Sequence, residues 1–200
     1  MILSIDTTSE FGSIALTEAN VVVEELALHA PEGFSHVLFG HLDHLLAKNG
    51  VTVHQMECFA AASGPGSFTG VRVGLAAIKG LAEATGKRVV AVSNLRALAS
   101  FGTAPCRATV IDARRGEVYA AVYDSRLELV LPEVVMKYED WLVKIPQNCE
   151  LISAISTPRP LAAAVGHIAW DDFTSGRSSD PAEIDANYVR RSDAELFWKE

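Results

Sequence analysis

No apolar stretch in this chain reaches about 18 residues without meeting Asp, Glu, Lys or Arg, which excludes a helical membrane span. Cysteine is scarce: Cys58, Cys106 and Cys149 are far apart and odd in number, and none forms a C-x-x-C pair. That spacing predicts neither a disulfide framework nor a structural zinc site, and favours a reducing cytoplasm. The opening Met1-Ile2-Leu3-Ser4-Ile5-Asp6 lacks a basic region and meets a carboxylate at once, so no signal peptide is expected. Basic runs are missing too. Seventeen Lys and Arg against 25 Asp and Glu leave a net charge of −8, the wrong sign for holding a phosphate backbone unaided. Arg114-Arg115 and Arg190-Arg191 are isolated pairs without interleaved aromatics, so any nucleic acid would be held by another subunit. What is present is ordinary for a globular protein: 200 residues, 49% hydrophobic and 21% charged.

The pattern begins with a strand at 2–5 that ends in Asp6, a polar turn to Gly12, a strand at 13–16 and a third at 21–27. A similar phrase returns half a chain later. A strand at 108–111 ends in Asp112, turns through Ala113-Arg114-Arg115-Gly116 and comes back over 117–123. This predicts a duplication, with two lobes that each open on a hairpin bearing Asp at its first bend. Two ordinary turns that happen to carry Asp would read the same way. Helices are expected at 34–48, stopped by Asn49-Gly50, at 71–85, closed by Gly86, and at 95–101, with strands at 58–62 and 88–92. The order is that of an α/β lobe with a mixed sheet. Further on, the spacing predicts a helix at 138–143, a strand at 151–155, a polar loop at 174–181 and a terminal helix at 192–198. An N-terminal lobe of 1–105 and a smaller C-terminal lobe of 106–200 are thus expected.

Chemistry-bearing residues are few. Strand, then Gly64-Pro65-Gly66-Ser67-Phe68-Thr69-Gly70, then helix is a setting in which backbone N–H groups can hold an anion. The stretch matches neither G-x-x-x-x-G-K-S/T nor G-x-G-x-x-G nor G-x-S-x-G, and on pattern alone a tight turn with Ser67 or Thr69 as helix cap is the favoured reading. Arg72 stands in the first turn of the following helix, against the helix dipole, where a ligand or partner carboxylate would suit it. Asp6, Thr7, Gly66, Ser67, Thr69, Arg72 and Asp112 are therefore the candidates for a ligand site or a structural loop. Across a cleft, Asp6 and Asp112 would suit a Mg²⁺–phosphate group, as in a kinase, but no second glycine-rich loop follows Tyr123. His36, His41 and His44 with Asp43 lack a nameable third ligand and read as solvated, so no metal is expected. Two helices carry more apolar and small residues than one buried stripe requires. Phe34, Leu38 and Leu42 on the first, and Val73, Ala77, Gly80 and Ala84 on the second, are the candidate partner surface. Gly74 and Gly80 inside a helix each cost about 1 kcal/mol relative to alanine, which close approach of another helix would explain.

Three motifs in order, Ile5-Asp6-Thr7-Thr8, Gly64 through Arg72, and Ile111-Asp112-Ala113-Arg114-Arg115-Gly116-Glu117-Val118-Tyr119, resemble the TsaB (YeaZ) family. The ending Tyr188-Val189-Arg190-Arg191-Ser192-Asp193-Ala194-Glu195 is similar to that family as well, whereas 125–186 adds little. The resemblance implies a two-lobed actin-like ATPase (ASKHA, RNase H-like) fold with mixed sheets flanked by helices. It implies a role in forming N6-threonylcarbamoyladenosine at position 37 of tRNAs that read ANN codons. In that pathway TsaB pairs with the catalytic TsaD, the ATPase TsaE joins the pair, and TsaC supplies threonylcarbamoyl-AMP. Pairing through the two helices as a four-helix bundle is implied, with a homodimer when TsaD is absent. TsaD-like proteins carry a metal-binding H-x-x-x-H after Val-Asn. Here Asn94 and Leu98 stand at the two histidine positions of Val92-Ser93-Asn94-Leu95-Arg96-Ala97-Leu98, and leucine cannot ligate a metal. The expectation is a non-catalytic cytoplasmic subunit with no catalytic residue and no cofactor of its own, ATP or ADP entering only with the complex. tRNA would be met through the complex. A stand-alone ATP-dependent kinase or ATPase on the same fold is the alternative, and a metallopeptidase fails for want of ligands.

Overall fold

The computed structural model describes residues 1–19, 21–155 and 159–190. The first sheet is built from β1 (Ile2–Asp6), β2 (Phe11–Glu18), β3 (Val21–His29), β4 (Cys58–Ala62) and β5 (Arg88–Val92), in the order β3-β2-β1-β4-β5. Antiparallel pairing joins β1 to β2 and β2 to β3, while β4 lies parallel to both β1 and β5. The second sheet repeats this plan with β6 (Cys106–Arg114), β7 (Glu117–Asp124), β8 (Leu129–Lys137) and β9 (Glu150–Ser153), in the order β8-β7-β6-β9. Again the first three strands are antiparallel and the last is parallel to the first. The expected duplication is present, with Asp6 and Asp112 near the bends of equivalent hairpins in separate sheets. The helices are α1 (Leu38–Lys48), α2 (Phe68–Thr85), α3 (Asn94–Ala99), α4 (Tyr138–Lys144) and α5 (Ala162–Thr174).

Alternation along the strands sends side chains to two faces of the first sheet. Leu3, Ile5, Phe59 and Ala61 meet Leu38, Leu42, Leu45, Val71, Leu75 and Ile78 of α1 and α2. Ile2, Cys58, Ala60, Val90 and Val92 meet Val165, Ile168 and Ala169 of α5 on the other side. Helix α2 starts at Phe68 because Ser67 Oγ accepts the Gly70 N–H, and it stops where Gly86 takes φ 66°.

Helix α5 and strand β8 are absent from the sequence reading. Helix α5 has no cap of its own; Ser13 Oγ accepts the N–H groups of Leu161 and Ala162, and Glu25 accepts that of Ala163. Its approach is close, since a Cβ at Gly166 would lie 2.6 Å from Thr17 Oγ1. Although α5 follows β9 in the chain and falls within 106–200, it packs on the first sheet. Strand β8 holds Pro132 and sits at a sheet edge, where proline is tolerated but hides the strand pattern. The spacing of the cysteines predicts no disulfide, yet Cys106 and Cys149 are joined, with Cα atoms 4.4 Å apart. Parallel pairing of Arg107 with Glu150 sets the two preceding residues side by side, a neighbourhood that spacing along the chain does not reveal. The terminal helix expected at 192–198 lies outside the described residues.

Buried Asp172 on α5 fastens that helix to α3. It takes a two-pronged contact from Arg96, at 2.6 and 3.2 Å, and a second from Arg177, at 2.7 and 3.0 Å. Burial pushes its carboxyl up, but the hydrogen bonds and charges of Arg96 and Arg177 more than offset this and leave it below its ordinary range. Such a group contributes stability above the unfolded carboxyl pKa of about 4, and the contribution fades as pH falls through the lower folded value. Asp172→Asn is expected to cost about 3 kcal/mol at pH 7 by urea unfolding, with the gap to wild type closing in strong acid.

Candidate functional site

Between the lobes lies a cleft of about 770 Å³. Its first-lobe wall is the β1–β2 turn, with Asp6, Thr7 and Thr8, and the loop through Gly66, Ser67, Thr69 and Gly70. Its second-lobe wall is the β6–β7 hairpin, with Asp112, Arg114 and Tyr119, together with Arg159. The two aspartates thus face one cavity, but in different surroundings. Asp112 is exposed and acts as a turn residue, its Oδ1 accepting the Arg114 N–H at 2.8 Å.

Asp6 is buried. Its Oδ1 accepts from Thr8 N at 3.0 Å and from Thr8 Oγ1 at 2.7 Å, and Thr8 Oγ1 in turn accepts from Asn94 Nδ2 at 2.6 Å. Asn94 completes the network by accepting the Gly64 N–H at 2.8 Å. Burial raises the Asp6 carboxyl above its usual range, and the hydrogen bonds from Thr8 and Asn94 offset only part of this. The ionised form therefore costs stability near neutral pH, and the cost vanishes as pH falls below the ordinary carboxyl value. Asp6→Asn keeps an acceptor for Thr8 and removes the charge. It is expected to raise stability by about 1 kcal/mol at pH 7, with the gain shrinking towards pH 4 in urea titrations at both pH values.

The glycine-rich loop is fastened onto the same turn. Ser67 N donates to Thr8 O at 2.6 Å and Thr7 Oγ1 donates to Gly70 O at 2.7 Å. A Cβ on Gly66 would lie 2.6 Å from Thr8 O, and one on Gly70 only 2.0 Å from Thr7 O. Backbone contact between loop and turn thus accounts for these glycines, and Ser67 serves as the helix cap. Thr69 is exposed on the cleft rim. Arg72 does not meet a carboxylate among the described residues. Its guanidinium lies 3.5 Å over the Phe68 ring, and its Nε donates to Tyr188 Oη at 3.0 Å.

The helical surface needs correcting. Phe34, Leu38 and Leu42, expected to face a partner, are 2%, 1% and 2% exposed and lie in the core against the first sheet; Ala77 is buried as well. Helix α1 starts at Leu38 rather than at 34, so Phe34 precedes it, and Leu38, Leu42, Leu45 and Leu46 are the one stripe that an 11-residue helix turns to its sheet. The faces left open carry Phe39, Gly40, Asp43, His44 and Ala47 on α1, and Arg72, Ala76, Gly80 and Ala84 on α2, with Val73 half-buried at the margin. Of the two interior glycines of α2, Gly74 is explained within the chain, since a Cβ there would sit 2.7 Å from Thr7 Oγ1. Gly80 is not: among the described residues, a Cβ there would meet nothing within 4 Å. Among the described residues, no three His, Cys, Asp or Glu side chains converge as metal ligands. Asn94, where the resemblance implies a histidine in the catalytic relatives, holds the Asp6 turn, and Leu98 is buried. Glu133, bonded to Ser93, Tyr123 and Asn187, escaped the sequence reading because it lies on β8, which the proline concealed.

Two duplicated sheets around a cleft define a two-lobed protein of the actin-like ATPase class. The family model for TsaD, tRNA N6-adenosine threonylcarbamoyltransferase, matches residues 28–175. A crystal structure from Pseudomonas aeruginosa, of an uncharacterized protein with similarity to peptidase YEAZ, superposes with a TM-score of 0.79 at 25% identity. That likeness covers 94% of this chain and 99% of the other. The chain belongs to the TsaB family. The tRNA threonylcarbamoyladenosine biosynthesis protein TsaB of Haemophilus influenzae is 36% identical over 94% of this chain and 82% of its own length. The protein of the same name from Bacillus subtilis is 33% identical over 74% of this chain, a stretch that spans 66% of that relative.

Proposed function

We propose that this chain is a non-catalytic partner subunit of the assembly that forms N6-threonylcarbamoyladenosine at position 37 of ANN-reading tRNAs, paired with the catalytic TsaD. The names of its relatives support the pathway. Support for the partner role comes from Gly80, an exposed glycine in the interior of α2 that no contact among the described residues explains. A helix of TsaD packing across Ala76, Gly80 and Ala84 of α2, with Val73 at its edge and Gly40 and Ala47 of α1 beside it, accounts for the smooth surface. Phe39, 55% exposed, is the apolar anchor on this face. TsaE and tRNA join through the complex, the cytoplasm is its compartment, and the same face forms a homodimer when TsaD is absent. Among the described residues, no helix is long and apolar enough to cross a membrane.

The cleft shared by Asp6 and Asp112 favours a second reading, a stand-alone ATPase. Against it, glycines of the described second half, Gly116, Gly166 and Gly176, are isolated and form no second phosphate loop. Gel filtration of the chain with the TsaD of the same organism, alongside ATP turnover by the chain alone, separates the two. Co-elution without turnover is expected. Steady turnover abolished by Asp6→Ala, with no co-elution, would favour the ATPase.

A further inference from the structure

The stretch from α5 to residue 190 runs from the first lobe to the second. Ser179 pairs with Val89 at the edge of β5, and Ile184 is buried in the core beneath α1 and α2. Asn187 N then donates to Ser63 O at 2.8 Å. Beyond it, Arg190 donates to Ala113 O at 3.1 Å and pairs with Glu117, both on the β6–β7 hairpin. The strap is therefore anchored in the first lobe by the burial of Ile184 and in the second by hydrogen bonds, an ion pair and the approach of Arg190 to the Tyr119 ring at 5.8 Å, contacts that can part without exposing Ile184.

Glu133 of β8 stands where these parts meet. Its Oε2 accepts from Asn187 Nδ2 at 2.6 Å, and its Oε1 accepts from Tyr123 Oη at 2.6 Å and from Ser93 Oγ. Ser93 caps α3, Tyr123 lies on β7 and Asn187 belongs to the strap, so one half-buried carboxylate gathers donors from three segments. Among the described residues two other stretches cross between the lobes, from β5 to α3, which packs on β6 and β7, and from β9 to α5, which packs on the first sheet. Two crossings alone make a hinge. A third, tied on the far side, braces it. We propose that residues 184–190 and Glu133 form an interlobe latch that fixes the width of the cleft between Asp6 and Asp112. Opening the cleft requires Asn187 and Arg190 to leave the second lobe together, and the charged acceptors on both make that release costly.

The test places spin labels at Glu32→Cys and Arg115→Cys, exposed positions on the rims of the two lobes, and reads their separation together with amide exchange at 187–190. The latched chain is expected to give one narrow distance distribution and slow exchange. Glu133→Ala should broaden the distribution and speed exchange by about tenfold or more, with unchanged circular dichroism. Should Glu133→Ala fail to fold, Asn187→Ala and Arg190→Ala, which loosen only the strap, carry the same expectation. A distribution as narrow in the folded variants as in wild type, with exchange unaltered, would overturn the latch.

Discussion

Gly80→Arg is expected to abolish co-elution with TsaD while leaving the circular dichroism and unfolding midpoint of the isolated chain intact. The side chain enters open space, since no atom of the described residues lies within 4 Å of a Cβ at this position. Removing a helix-interior glycine favours the fold by several tenths of a kcal/mol, so the monomer loses nothing. At the centre of a packed helical contact, the same guanidinium holds the helices apart and is stripped of water without a counter-charge. That costs about 3–5 kcal/mol, which weakens a micromolar complex by roughly two to four orders of magnitude. Gly80→Ala serves as the control: it should stabilise the chain by about 0.5–1 kcal/mol and retain the partner. Undiminished pairing by Gly80→Arg would move the interface off α2.

Gly70→Ala should have the opposite signature, a large loss of stability from one methyl group. Its Cβ would lie 2.0 Å from the Thr7 carbonyl oxygen, a backbone atom of the turn that also carries Asp6. No rotamer relieves that overlap, so α2 or the turn must shift and give up the bond from Thr7 Oγ1 to Gly70 O. A cost of about 3 kcal/mol follows, lowering the melting temperature by roughly 6–12 °C in a protein of this size. An alanine at 70 as stable as wild type would show that the loop is not seated on the turn. Glycines 70 and 80, ten residues apart on one helix, thus respond with opposite signs because one meets backbone and the other meets solvent.

Local chemistry explains which parts of the fold were legible. Strands β1, β4 and β5 are short apolar runs bounded by polar turns, and Gly86 marks the end of α2 because only a left-handed residue closes it there. The repeated Asp-turn phrase announces the duplication because both copies keep the same hairpin. Where stabilising partners lie far along the chain, the sequence is silent. Helix α5 borrows its cap from Ser13 and Glu25, and Cys106 finds Cys149 only through the pairing of β6 with β9. The helical face was half legible. Apolar residues at helical spacing mark a buried stripe, and Leu38 and Leu42 lie in it; counting them does not tell which side meets the sheet. Small residues at helical spacing are ambiguous in the same way, and only the space around Gly74 and Gly80 separates an internal contact from an open face. At the cleft, Asp6 and the glycine-rich loop were visible as residues, but their mutual seating through Thr7 and Thr8 was not.

The most direct measurement reconstitutes the modification from purified TsaC, TsaD and TsaE with unmodified tRNA, with and without this chain, and quantifies N6-threonylcarbamoyladenosine by mass spectrometry of the digested nucleosides. The nucleoside should form when the chain or its Asp6→Asn variant is present, and fall to background when it is omitted or replaced by Gly80→Arg. Equal yields with and without the chain would contradict its role as a required partner subunit.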